Sequence, residues 1–236
     1  MLSKTLALAL AAAAAALAAG PAAADSKARP PTAAARSAAP SPASAPAYSV
    51  KGFRSALFGM DEAAVRAAAA KDFGVPPQSL RREVSLVDGT AGLILELPKL
   101  DPGPGAATVQ YILGATSGRL IHVNVVWTVP EDAPQGQREA LVGASLKLTR
   151  YYRGFSWAPK KALAELPAGP NSVIAFAGED EAGSALEMRL DGVAFSQVIN
   201  GKTVQSPPPK GPSRLRVAFD KSPRNPDVAK IQVGAF

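Results

Sequence analysis

The chain's one histidine, His122, is the first place to look for acid–base chemistry, because an imidazole titrates closest to neutral pH. To act as a general base it needs a nucleophile to deprotonate or a carboxylate to orient it, and its sequence neighbours supply neither. There is no G-x-S-x-G elbow and no cysteine for acyl transfer. A single histidine without cysteine also excludes the ordinary zinc constellations. Glu179-Asp180-Glu181 offers oxygen ligands, but its spacing matches no calcium loop and reads as a charged hairpin tip. Gly114-Ala115-Thr116-Ser117-Gly118 lacks the lysine and following helix of a phosphate loop, and reads as a turn. No pair of acids is singled out for glycosidic chemistry. These residues lead to no expected catalytic group, cofactor or metal.

A different chemistry concentrates between Arg150 and Lys161. Tyr151, Tyr152, Phe155 and Trp157 alternate there with Arg150, Arg153, Lys160 and Lys161. Aromatic and arginine side chains dominate the energetics of protein interfaces, and a cation beside a ring suits glycan contact as well. Arg150, Tyr151, Arg153 and Trp157 are therefore the candidate partner-contacting residues. The competing expectation is structural and takes precedence: arginines complement the dipole at a helix C-terminus, and the rings anchor the next loop in the core.

The elements that must position these residues are legible from periodicity. Asp61 reads as an N-cap, with Met60 and Val65 as a hydrophobic staple and Gly74 as the stop. Val65, Ala69 and Phe73 form the apolar stripe of that helix. Strands are expected at Val84 and Leu86, then, after a tight Asp88-Gly89 turn, at Leu93, Leu95 and Leu97. Further strands follow at Val109–Leu113 and Arg119–Thr128. In the last of these Ile121, Val123, Val125 and Trp127 share one face, leaving His122 solvent-facing with Leu120, Asn124 and Val126. A second helix starts near Pro134, carries Leu141, Ser145, Leu148 and Tyr152 on one side, and ends at Gly154. Four more strands are expected, at Val173–Phe176, Ala185–Leu190, Val193–Ile199 and around Leu215, Val217 and Phe219. The expected class is α+β, as two consecutive helix-plus-four-stranded antiparallel modules spanning 49–130 and 131–236.

Ahead of these lies an export signal. Lys4 precedes an apolar run from Leu6 to Ala19, then the Gly20-Pro21 break and Ala22-Ala23-Ala24, an A-x-A cleavage site. Residues 1–24 read as a signal peptide cleaved after Ala24, giving a periplasmic or secreted protein with no transmembrane segment in the mature chain. Residues 25–48, rich in Pro, Ala and Ser, read as a disordered tether. The whole chain has 26 basic and 19 acidic residues, net +7, and loss of residues 1–24 removes only Lys4. So mild and scattered a positive balance points to solubility rather than to nucleic acid. Without cysteine the fold must stand on its hydrophobic core.

Phe58-Gly59-Met60-Asp61-Glu62-Ala63-Ala64-Val65 resembles the helix opening of the BamE/SmpA-like periplasmic modules. The tandem order of elements is similar to the β-lactamase-inhibitor-like fold, which stacks two such modules. The resemblance implies a binding or scaffolding module that contacts a periplasmic or outer-membrane protein or an envelope polymer, and it transfers no site residue. The alternative expectation is a cell-envelope hydrolase built on His122 or on distant carboxylates.

Overall fold

A computed structural model of the chain describes residues 45–199 and 201–230. The expected signal peptide and all but the last four residues of the expected tether lie outside the described residues. Those last four are seated: Tyr48 N–H donates to Ser156 O (3.0 Å), and Ser156 N–H donates to Pro46 O (3.0 Å).

Two short strands, β1 (Gly52–Phe53) and β2 (Ala56–Leu57), lead into helix α1 (Glu62–Phe73). The Asp61 carboxylate accepts the Ala64 N–H at 3.0 Å, and Gly74 ends the helix in the left-handed region at φ 66°. α1 buries Val65, Ala68 and Ala69, while Phe73 is half-buried and stacks on Phe53. A 3-10 turn (Pro77–Ser79) precedes β3 (Arg81–Val84), β4 (Ala91–Leu97), β5 (Ala107–Leu113) and β6 (Leu120–Val129). Helix α2 (Gln135–Arg153) buries Leu141, Ala144, Ser145, Thr149 and Tyr152. β7 (Ala162–Gly169), β8 (Ser172–Glu179), β9 (Ala185–Asp191), β10 (Ser196–Ile199), β11 (Lys202–Gln205) and β12 (Ser213–Asp220) complete the chain.

The class is α+β, but the strands do not form two modules of four. They form one antiparallel eight-stranded sheet in the order β3-β4-β5-β6-β12-β9-β8-β7. The join is the β6–β12 ladder, in which His122 to Val129 pair with Asp220 to Ser213. Pairing strands this far apart in sequence is favourable because both halves then share one core, from Val65 and Leu93 through Val125 to Met188 and Leu215. Nothing local to either strand signals such a partner.

Other expectations shift with this join. The expected strand at Val193–Ile199 is a separate two-stranded ribbon, β10–β11, outside the main sheet. Its place is taken by β7, whose half-exposed Leu163 and Leu166, Pro167 and positive-φ Glu165 (59°) conceal the period of two. At the other edge β3 stops at Val84. Residues 85–90 form a wider turn, closed by Ser85 N–H to Thr90 O (2.9 Å), with Leu86 98% and Val87 92% exposed.

Helix α2 packs on β6, β8, β9 and β12, and α1 joins the same core through Val65, Ala68 and Ala69. A β-bulge decides which residues reach it on β6: Leu113 pairs with Leu120 while Ile112 pairs with His122, so Ile121 is the extra residue. Leu120, not Ile121, therefore joins Val123, Val125, Trp127 and Val129 in the core, and Ile121 is only half-buried.

Candidate functional site

Strand alternation sends every second residue to the face the helices leave open. On β12 the inward residues Leu215, Val217 and Phe219 fix Arg214 and Arg216 outward. Register does the rest. Arg216 pairs with Val126 on one side and with Arg189 on the other. Arg214 pairs with Thr128 and with Asp191. Three guanidinium groups on two adjacent strands thus surround a dish of about 520 Å³ whose remaining wall includes Thr108, Gln110, Val126 and Thr128.

Like charges directly opposite each other on a sheet are unfavourable. Arg216 and Arg189 turn to separate carboxylates: Arg216 Nη2 donates to Glu187 Oε1 at 2.6 Å, and Arg189 Nε donates to Asp191 Oδ1 at 3.1 Å and to Ser172 Oγ at 2.9 Å. Arg214 is exposed and makes no ion pair among the described residues, although Asp191 lies across from it in the ladder. A guanidinium is permanently charged and presents paired donors that match a carboxylate or another oxyanion. The dish can therefore bind oxyanions, with Arg214 as its free donor.

At the far end of the same face the fold supplies what the sequence around His122 lacked. Asp220 lies opposite it in the ladder, and His122 Nδ1 is 3.1 Å from Asp220 Oδ2. The other ring nitrogen, Nε2, is 3.1 Å from Asn124 Oδ1. His122 is thus half-buried rather than solvent-facing, with both nitrogens engaged. A neutral ring donating from Nδ1 satisfies both contacts only if the Asn124 amide turns its NH2 toward Nε2.

His122 and Asp220 line a second cavity of about 350 Å³. Residues 221–230 wall it as a strap across the sheet end. Lys221 N–H donates to Ile121 O (2.9 Å), and Ala229 N–H donates to Asp88 O (2.7 Å). Arg224 Nη2 donates to both carboxylate oxygens of Glu179 (2.8 and 2.7 Å). The Asp227 carboxylate accepts the N–H groups of Thr116 and Ser117 (3.0 and 2.9 Å). The Ser117 hydroxyl and these N–H groups hold Asp227 down to about 2, well below the usual carboxylate value. A Cβ on Gly114 would meet Asp227 Oδ2 at 2.2 Å, so glycine there is what admits the carboxylate. The turn at 114–118 is accordingly an anion-holding nest filled by the chain's own Asp227.

The structure divides the residues of the 150–161 segment. Tyr152 is buried, only 6% exposed, and Trp157 packs inward, stacked on Tyr48 (centroids 4.8 Å apart) with Nε1 donating to Tyr152 O at 3.0 Å. Gly178 makes room for that ring, since a Cβ there would lie 2.4 Å from Trp157 Cε3. Tyr151 stays 55% exposed, Arg150 is exposed, and Arg153 pairs with Glu165 at 3.6 Å. The segment does not reach the arginine dish, which lies on the opposite face of the sheet.

Arg189, Arg214 and Arg216 are the residues that sequence reasoning missed. Arg214-Leu215-Arg216 carried a usable signal, since a period of two puts both arginines on one polar face. For Arg189 and Asp220 the alternation likewise names a face, but only the register brings them to their partners. Among the described residues no helix is long and apolar enough to cross a membrane, and no cluster of His, Asp and Glu could hold a metal ion. No protein-family model matches the chain, no curated protein matches it, and no solved structure matches it.

Proposed function

We propose that this protein is an exported, non-enzymatic binding module that docks a protein of the cell envelope on the open face of its sheet, around Arg189, Arg214 and Arg216. The observation that carries this reading is the placement of Arg216 directly opposite Arg189, with Arg214, which makes no ion pair among the described residues, one row away. Like charges directly opposite each other are unfavourable on a face meant only for water, so an opposed arginine pair suits a surface that meets anionic groups. Asp191 and Glu187 interleave with the arginines, which suits a partner surface of mixed charge better than a uniform polyanion. The leader-like residues 1–24 and the BamE/SmpA-like helix opening at Phe58–Val65 support an envelope location.

The test is a photo-crosslinking residue at Thr128, beside the dish, in protein expressed in its own envelope. A discrete adduct is expected from Thr128 and none from Lys147 on the outer side of α2. Equal labelling from both positions, or none from Thr128, overturns the reading.

The hydrolase reading draws on one observation, the His122–Asp220 pair. Against it, Asn124 occupies the second ring nitrogen, and the Ser117 hydroxyl in the same cavity is engaged by Asp227.

A further inference from the structure

The cavity beneath the strap is built unlike the rest of the open face. That face is largely polar, yet here Ile112 and Ile121 stand together, Ile121 delivered by the bulge that removes it from the core stripe. Pro226 and Val228 of the strap line the same cavity. The volume, about 350 Å³, falls in the range of small-molecule sites, and an apolar body with a few converging polar groups is their usual composition.

Charge narrows the ligand. Asp88, Asp220 and Asp227 all line the cavity, against Lys221 and His122. Asp88 and Asp227 are both held below the ordinary carboxylate range, Asp88 chiefly by the Ser85 and Thr90 side chains, so both stay anionic at neutral pH. In a chain of net charge +7 this is a locally negative hollow. Its acids do not converge as a metal site among the described residues, which favours an organic cation over a bare metal ion. Each Asp220 oxygen already accepts one bond, from His122 and from the Ser222 N–H, and retains a lone pair for a further donor.

We propose that this cavity binds a small organic cation: an amine whose ammonium group faces the Asp220 side and whose apolar body rests on Ile112, Ile121, Pro226 and Val228. The site is separate from the arginine dish and stands or falls without it.

Tryptamine and indole-3-acetate carry the same ring with opposite charges and serve as probes for the full mature chain. Binding is read by calorimetry and by methyl chemical shifts of Ile112, Ile121 and Val228. Tryptamine should saturate one site per chain and shift those methyls, with indole-3-acetate weaker by at least about tenfold. Ile112→Trp, which fills the hollow from a half-buried position, should weaken tryptamine by a similar factor, with circular dichroism and melting temperature recorded to show a folded chain. Asp220→Asn should reduce the preference between the two probes. Equal binding of both probes, no saturable binding of either, or undiminished binding to folded Ile112→Trp each overturns the proposal.

Discussion

Arg216 on β12 and Arg189 on β9 are register partners on the uncovered side of the sheet, each drawn to its own carboxylate and neither to the other. The arrangement sets two like charges face to face and keeps positive charge at the centre of an eight-stranded surface.

Arg216→Thr should separate these two consequences. It removes both the opposed pair and the Arg216–Glu187 ion pair from a partly exposed strand position, and should change stability by no more than about 1 kcal/mol. The Thr128 crosslink should nevertheless fall several-fold. A normal crosslink yield in a normally folded variant would show that the arginines do not serve docking.

Tyr111 is fully buried, and its hydroxyl has no hydrogen-bond partner among the described residues. Burial pushes the phenol well above its usual value, so it stays neutral across any ordinary pH. Tyr111→Phe removes an unsatisfied polar atom and keeps the ring. It should stabilise the fold by about 1 kcal/mol, read as a higher urea midpoint at unchanged slope. A lower midpoint would mean that the hydroxyl has a partner.

Acid should loosen the strap by a predictable route. The folded value of Asp227, about 2, lies below the usual carboxylate value near 4. A depressed value means a stabilising contribution fully present above the unfolded value and lost as pH falls through the folded one. Hydrogen exchange at the Thr116 and Ser117 amides should therefore accelerate between about pH 4 and pH 2 beyond its intrinsic trend. Asp227→Asn should show the faster exchange already at neutral pH. Identical protection in wild type and variant would remove Asp227 as the clasp.

Within the 150–161 segment two neighbours should behave oppositely. Tyr152 packs against Tyr48, Trp157 and Phe176, and Tyr152→Ala should cost about 3–5 kcal/mol. Arg153 makes one exposed ion pair, and Arg153→Glu should change stability by no more than about 1 kcal/mol. Comparable losses of melting temperature in the two variants would mean that Arg153 is structural as well.

Much of the first half was readable because its signals are local. Asp61 caps, Gly74 stops, and Leu93, Leu95 and Leu97 alternate, and the structure shows each of these. Ile121 was misplaced because a bulge belongs to a pair of strands, and one strand's sequence does not record where its partner skips. β7 escaped because Pro167 and Glu165 interrupt its alternation. The arginine dish and the His122–Asp220 pair were hidden for a deeper reason. Both depend on β12 lying beside β6 and β9, and the alternation within Arg214–Asp220 names a face without naming the neighbours.

The β6–β12 ladder also determines how the sheet meets other copies of itself. Two separate four-stranded sheets would present four unpaired edges, each a template for intermolecular strand addition. Fusion leaves two. One is β3, four residues bearing Arg81, Arg82 and Glu83; the other is β7, where Pro167 lacks an N–H to offer. The protection is conditional on timing. Ladder partners such as His122 and Asp220 are separated by most of the second half of the chain, so this closure is among the most non-local in the molecule and tends to form late. Until it forms, β6 and β12 each keep an open hydrogen-bonding edge, and the chain carries two more templates for intermolecular strand addition.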